Sequence, residues 1–112
     1  MSGRLGAGEL GANSWNVIYE CPTNRKYASI KIHVANRSAG DAMIDIALSS
    51  GDGTTVTAEE YIEYQTMIVS NGSIERSGIV TANGTKVMCR SDVNDCTALV
   101  HGIEVLDPTA TP

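Results

Sequence analysis

The sequence predicts an all-β domain, an antiparallel β-sandwich of jelly-roll-like or Ig-like type with about seven or eight strands. Three observations carry that expectation. Valine, isoleucine and threonine supply 29 of the 112 residues, whereas leucine supplies 5 and phenylalanine none; β-branched side chains are stiff at χ1 and suit a pleated surface better than a helix. Apolar residues alternate with polar ones where the pattern is clearest, at Ile30, Ile32 and Val34 and again at Ile44, Ile46 and Leu48, which is the period of a half-buried strand. Eleven glycines and two Asn-Gly pairs punctuate the chain at strand-length intervals. A closed barrel is the alternative architecture.

In chain order, Met1 to Asn13 carries Gly3, Gly6, Gly8 and Gly11 among small and apolar residues. Glycine loses more freedom on ordering than any other residue, so residues 1–13 read as a flexible N-terminal arm that orders against a neighbour. Arg4, Leu5 and Leu10 are its partner-docking residues. The sandwich is expected over residues 14–106, with Asn16 to Glu20 as its entry strand. The turn-rich segment Asn36 to Asp41 between the two alternating runs predicts a hairpin with a long loop. Ser49 to Glu60 is polar, contains Gly51-Asp52-Gly53, and reads as an exposed loop ending in one helical turn at Ala58-Glu59-Glu60. Asp52, Glu59, Glu60 and Tyr61 form a candidate recognition loop.

The remaining strands are expected at Tyr61 to Val69, Ser73 to Thr81, Thr85 to Arg90 and Thr97 to Val105. Asn71-Gly72 and Asn83-Gly84 tolerate the positive φ of a primed turn and predict that each joins neighbouring antiparallel strands. Both also match the N-glycosylation acceptor pattern, as does Asn36-Arg37-Ser38, but the turn reading is preferred. A turn centred on Asp92-Val93 would make Cys89 and Cys96 cross-strand neighbours, expected to remain thiols. Residues 107–112, with Pro108 and Pro112, form a C-terminal tail.

Several function classes fall away. The net charge of −5 and scattered basic residues disfavour nucleic-acid binding. With 42% hydrophobic and 19% charged residues, and a mean hydropathy of −0.07, the chain resembles neither a disordered tail nor a membrane protein. The opening residues lack a signal-peptide pattern, so synthesis in a cytoplasm is expected. Gly6-Ala7-Gly8-Glu9-Leu10-Gly11 satisfies the dinucleotide pattern G-x-G-x-x-G without the strand before it or the helix after it. His33 and His101 sit in separate strand patterns, and no calcium-loop spacing organises Asp52, Glu59, Glu60 and Glu63. No nucleophile elbow or Cys-His neighbourhood is present. The expectation is therefore no catalytic residue, no cofactor and no metal.

Tyr61-Ile62-Glu63-Tyr64 and the stretch Asn71-Gly72-Ser73-Ile74-Glu75-Arg76-Ser77-Gly78-Ile79-Val80 resemble a pattern of small virion structural proteins of tailed bacteriophages, particularly those infecting cyanobacteria and other marine bacteria. Ser2-Gly3-Arg4-Leu5-Gly6, the strand ending Cys21-Pro22, the strand ending Asn36-Arg37 and the closing Gly102-Ile103-Glu104 extend the resemblance over most of the chain. The resemblance implies a non-enzymatic, oligomeric β-sandwich module on a phage particle, attached to the tail, baseplate or fibres or decorating the capsid. Its partners would be copies of itself and other virion proteins, and it would carry no catalytic residues. The alternative is a carbohydrate- or receptor-binding module that recognises a host surface glycan. Such a module usually needs exposed aromatic platforms, and the chain has only Trp15 and four tyrosines, of which Tyr61 and Tyr64 fall near one loop.

Overall fold

The computed structural model describes residues 2–51 and 56–106; the recognition-loop residue Asp52 and the tail at 107–112 lie outside the described residues. Eight strands follow in order: β1 (Ser2–Leu10), β2 (Asn16–Glu20), β3 (Arg25–Asn36), β4 (Ala42–Ser49), β5 (Tyr61–Ile68), β6 (Ser73–Ala82), β7 (Lys86–Ser91) and β8 (Cys96–Leu106). One 3-10 turn, Ala58–Glu60, precedes β5. There is no α-helix among the described residues.

The strands form two four-stranded antiparallel sheets, ordered β1-β8-β3-β6 and β2-β7-β4-β5. Strand pairs β1·β8, β2·β7, β3·β6 and β4·β5 are all hydrogen-bonded. The chain is thus one long ribbon of paired strands, closed where β4 leads to β5. Rolling that ribbon sets β8 beside β3 and β7 beside β4. This is the strand order of a jelly roll, in which two sheets pack face to face over one core.

The roll corrects four expectations about connections. The runs around Ile32 and Ile46 do not form a hairpin: β3 and β4 belong to opposite sheets, and their apolar rows line opposite sides of one core. Neither Asn71-Gly72 nor Asn83-Gly84 joins neighbouring strands, since β5 to β6 and β6 to β7 both cross between sheets. Asn71 and Gly84 do adopt positive φ, 66° and 80°. A turn residue sets the local bend, but not which sheet receives the next strand. For the same reason Cys89 and Cys96 are not cross-strand neighbours. Cys89 lies opposite Asn16 and Ile46, whereas Cys96 lies opposite Leu10 and Asn36 in the other sheet. All three cysteines are free and buried.

The expected arm is also corrected, because Ser2–Leu10 is an edge strand of the domain's own sheet, paired along its length with β8. Its glycines serve close packing. Gly6 and Gly8 lie opposite the core residues Val100 and Ala98. A Cβ at Gly6 would fall 2.2 Å from the Ile18 carbonyl oxygen of β2, and one at Gly8 would fall 2.9 Å from Ile18 Cδ1. Backbone approach of this kind is what glycine permits and other residues obstruct. Leu10, expected as a docking anchor, is fully buried in the core. Leu5 is partly buried against that core, and only Arg4 of the three is exposed.

The ends of the sandwich are closed by polar groups. Asn36, buried at the end of β3, donates from Nδ2 to the Gly40 and Ile68 carbonyls at 2.9 Å each and accepts at Oδ1 from the Ser38 amide and hydroxyl. Its amide nitrogen is fully engaged, which disfavours glycosylation of the folded chain at this sequon. At the opposite end Tyr19 donates its hydroxyl to Glu104 at 2.6 Å, and Arg25 donates to the same carboxylate at 3.4 Å. Burial, followed by this hydrogen bond to Glu104, pushes the Tyr19 hydroxyl pKa far up.

Candidate functional site

Three of the five aromatic residues gather on the outer face of β2-β7-β4-β5. In register, Val17 faces Met88, Met88 faces Ala47, and Ala47 faces Tyr61. These four residues form an outward row across the sheet, yet Met88 and Ala47 are fully buried. A layer outside the sheet covers them. Beside them Tyr61, the register partner of Ala47, gathers a cluster of Trp15, just before β2, Tyr64 from β5 and the Arg90 guanidinium from β7, and the 3-10 turn Ala58–Glu60 also packs against β4. The Trp15 and Tyr61 rings lie 5.8 Å apart and tilted by 54°. Tyr64 stands edge-on to Tyr61 at 4.9 Å. Offset and edge-to-face geometries of this kind are the favoured ones for aromatic pairs.

Tyr61 and Tyr64 are three residues apart, a spacing that would send them to opposite faces of a regular strand. Two irregularities in the β4·β5 register prevent this. Ile44 pairs with Thr66, Ile46 with Glu63 and Ala47 with Tyr61, so β5 carries an extra residue at each step. Bulges re-aim side chains, and here they bring both tyrosines to one side. Gln65 beside them has a φ of 51°, in the left-handed region that a side chain of its kind seldom adopts.

The aromatic row leads into an ion pair. Arg90 places its guanidinium 4.5 Å from the centre of the Trp15 ring and donates from Nε and Nη2 to Asp45 Oδ2 at 3.0 and 2.8 Å. The other Asp45 oxygen accepts the Gln65 amide at 2.7 Å. The hydrogen bond to Asp45 raises the Arg90 pKa, so the guanidinium stays charged. Asp45 is only 6% exposed, and its two oxygens are both occupied.

Two clefts adjoin this chain of contacts. One, of about 240 Å³, is lined by Asn13, Met43, Asp45, Gln65, Arg90, Ser91 and Asp92. The second, of about 500 Å³, is lined by Val56, Ala58, Tyr61 and Tyr64. Of the candidate loop residues, Tyr61 enters the cluster, Glu59 is exposed on the 3-10 turn, and Glu60 folds back to accept the Thr57 amide at 2.9 Å. That backbone hydrogen bond holds the Glu60 carboxyl below its usual pKa.

Other chemistry is not assembled. His33 and His101 occupy β3 and β8, where His101 lies between Lys31 and Arg4 on the outer face of the first sheet and His33 lies opposite Leu99. No group of three His, Cys, Asp or Glu side chains suited to a metal ion occurs among the described residues. Burial pushes the Cys89 thiol up to about 12, opposite to what a nucleophile requires.

The sequence singled out Tyr61 but not Arg90 or Asp45, which lie 45 residues apart along the chain. Asp45 stands at an outward position between Ile44 and Ile46, where a polar residue is expected, so local alternation gives no sign of its partner. In comparisons of the chain with family models, with curated proteins and with solved structures, nothing matches.

Proposed function

We propose that the chain is a non-enzymatic structural module of a tailed-phage virion, a homo-oligomeric β-sandwich attached to the tail, baseplate or fibres or decorating the capsid. The observation that carries this reading is the jelly-roll strand order, an architecture used by viral capsid and lectin domains. A fold alone does not decide function. The reading therefore also leans on the resemblance running from Ser2-Gly3-Arg4-Leu5-Gly6 to Gly102-Ile103-Glu104.

The outer face of β1-β8-β3-β6 suits attachment. Ile103 and Val80 flank Ser29 across three strands and are 51% and 63% exposed. The next rank holds Lys31, His101 and Arg4 side by side. Lys31 is already paired with Glu75 of the same sheet at 3.9 Å, so within this rank exposed Arg4 is the charge that an acidic neighbour, another virion protein or another copy, would meet.

Mass spectrometry of purified phage particles tests the reading, and the copy number separates the placements. Hundreds of copies would mean head decoration and a few would mean tail or fibre. Absence from washed, infectious particles would overturn the proposal.

A further inference from the structure

The two sides of the sandwich are finished differently. On one side β1 packs against β2: a Cβ at Gly6 would meet the Ile18 carbonyl, and just beyond β1 Ala12 bridges to Ser91 of β7. On the other side β5 and β6 end their sheets, spanned by the Arg76–Glu63 ion pair at 3.2 Å. The β5 edge is blunted by its two register shifts and by the positive φ of Gln65. The β6 edge is more open. Its ten residues contain neither proline nor lysine, and Arg76, the cation that could blunt it, is held toward Glu63. No strand of the described residues takes up the outer hydrogen-bonding groups of β6.

The pattern of faces along β6 selects what can pair with it. Ile74, Arg76, Ile79 and Thr81 lie opposite Val34, Ile32, Ile30 and Ala28, the inward row of β3. Ser73, Glu75, Val80 and Ala82 lie opposite the outward residues Ala35, His33, Ser29 and Tyr27. A bulge opposes Ser77 and Gly78 to Lys31 alone, with Gly78 at a φ of 74°. Both sets are therefore symmetric about the midpoint between Ser77 and Gly78. Turned two-fold about that midpoint, β6 meets itself antiparallel along its whole length, inward residues beside inward and outward beside outward. Ser73 then faces Ala82 of the second copy, Ile74 faces Thr81, Glu75 faces Val80 and Arg76 faces Ile79, so no charge meets its like. A register centred on Glu75 would oppose two carboxylates, and a slip of one residue would set inward side chains against outward ones.

We propose that β6 is a self-association edge, through which two copies of this chain pair over Ser73–Ala82 and join their β1-β8-β3-β6 sheets into one sheet of eight strands. This names the contact of the homo-oligomer proposed above and rests on that reading. Main-chain hydrogen bonds supply the attachment, and the two-fold closes the assembly at two copies, leaving no free β6 edge. Glu75 keeps a half-exposed carboxylate, 3.9 Å from Lys31, and that carboxylate would face position 80 of the second copy. Charge at Val80, which is 63% exposed, therefore reads the register directly.

Sedimentation equilibrium of the full chain at neutral pH, from about 1 μM to about 1 mM, measures the association. The parent is expected to be in monomer–dimer equilibrium. Val80→Glu and Val80→Lys remove the same apolar side chain, but by symmetry the first opposes carboxylates at two places and the second places an ammonium there. The Lys variant should dimerise about tenfold or more tightly than the Glu variant, with both circular dichroism spectra unchanged. Hydrogen exchange of the parent should show β6 amides gaining protection on dimerisation. A parent that stays monomeric throughout overturns both this contact and the homo-oligomer. A parent that associates while the two variants dissociate alike, or while another strand gains the protection, overturns the β6 contact and leaves the homo-oligomer standing. Absence from phage particles removes the virion placement without touching the dimer.

Discussion

On the outer face of the β1-β8-β3-β6 sheet Val80 and Ile103 are exposed, whereas on the outer face of β2-β7-β4-β5 Met88 and Ala47 are fully buried. Both faces are made by the outward positions of alternating strands. They differ locally, because the middle of the second face is covered around Met88 and Ala47, although Val17, Met43 and Met67 on that sheet are exposed. Tyr61 pairs with Ala47 and carries Trp15 and Tyr64 against its ring, while the first sheet carries Ser29 between its two apolar residues and a rank of Lys31, His101 and Arg4 beside them. An antiparallel sheet usually meets water on its outer side. On the second sheet part of that side is covered, and Tyr61 and Tyr64 there line a cleft.

Substitution at matched outward positions breaks or upholds this contrast. Met88→Ala removes a fully buried side chain and should cost about 2–5 kcal/mol, as a core truncation does. Ile103→Ala, outward on the other sheet and half exposed, should stay within about 0.5 kcal/mol. Urea unfolding measures both. Equal losses would mean that the two outer faces are alike and that the aromatic layer excludes no water.

The contrast also assumes that β1 is a full member of the uncovered sheet. Gly6→Ala puts a methyl group against the Ile18 carbonyl, and should destabilise by about 1–3 kcal/mol as overpacking does. A neutral result at this position would restore the reading of residues 1–13 as an arm, loosely held and available to a neighbour.

Much of the architecture was legible before the structure, and the missed parts share a cause. Alternation at Ile30, Ile32 and Val34 is a local property, so the strand and its buried face could be read directly. Residues Ala58–Glu60 likewise form the expected helical turn. Which sheet a strand enters is not local: Asn71 adopts the expected positive φ, yet β6 leaves for the other sheet. The glycines of β1 were misread because composition reports flexibility, while only tertiary packing reveals that the Ile18 carbonyl requires the absence of a side chain at Gly6. The aromatic site was half legible. Tyr61 and Tyr64 were visible as a pair, but the β5 bulges that put them on one side depend on the register with β4.

Arg90 sharpens the comparison from within the covered face. Asp45 is nearly buried and receives two hydrogen bonds from Arg90, so Arg90→Ala leaves a desolvated carboxylate with only the Gln65 amide. The expected cost is about 1–3 kcal/mol, the penalty for removing one partner of a buried polar pair. Because Arg90 also stacks on Trp15, the tryptophan emission of the folded variant should shift to the red as water reaches the ring. Lost stability without that shift would assign Arg90 to the ion pair alone and detach Trp15 from it.

The smallest effect lies at the mouth of the larger cleft, where Glu60 holds the 3-10 turn that leads into Tyr61. Its carboxylate accepts the Thr57 amide, which lowers its pKa in the folded state. A depressed carboxyl pKa contributes stability above the unfolded value, near 4.3, and loses that contribution as pH falls through the folded value. The parent should therefore exceed Glu60→Ala in thermal midpoint at neutral pH by a small margin, and the margin should close as the solution is acidified below that range. Thermal unfolding of the two proteins across pH 7 to about 3 follows the difference. A margin independent of pH would mean that Glu60 supports the turn through its stem and not through its charge. The exposed position of the turn keeps the effect below that of Arg90, whose buried partner has no solvent to replace it.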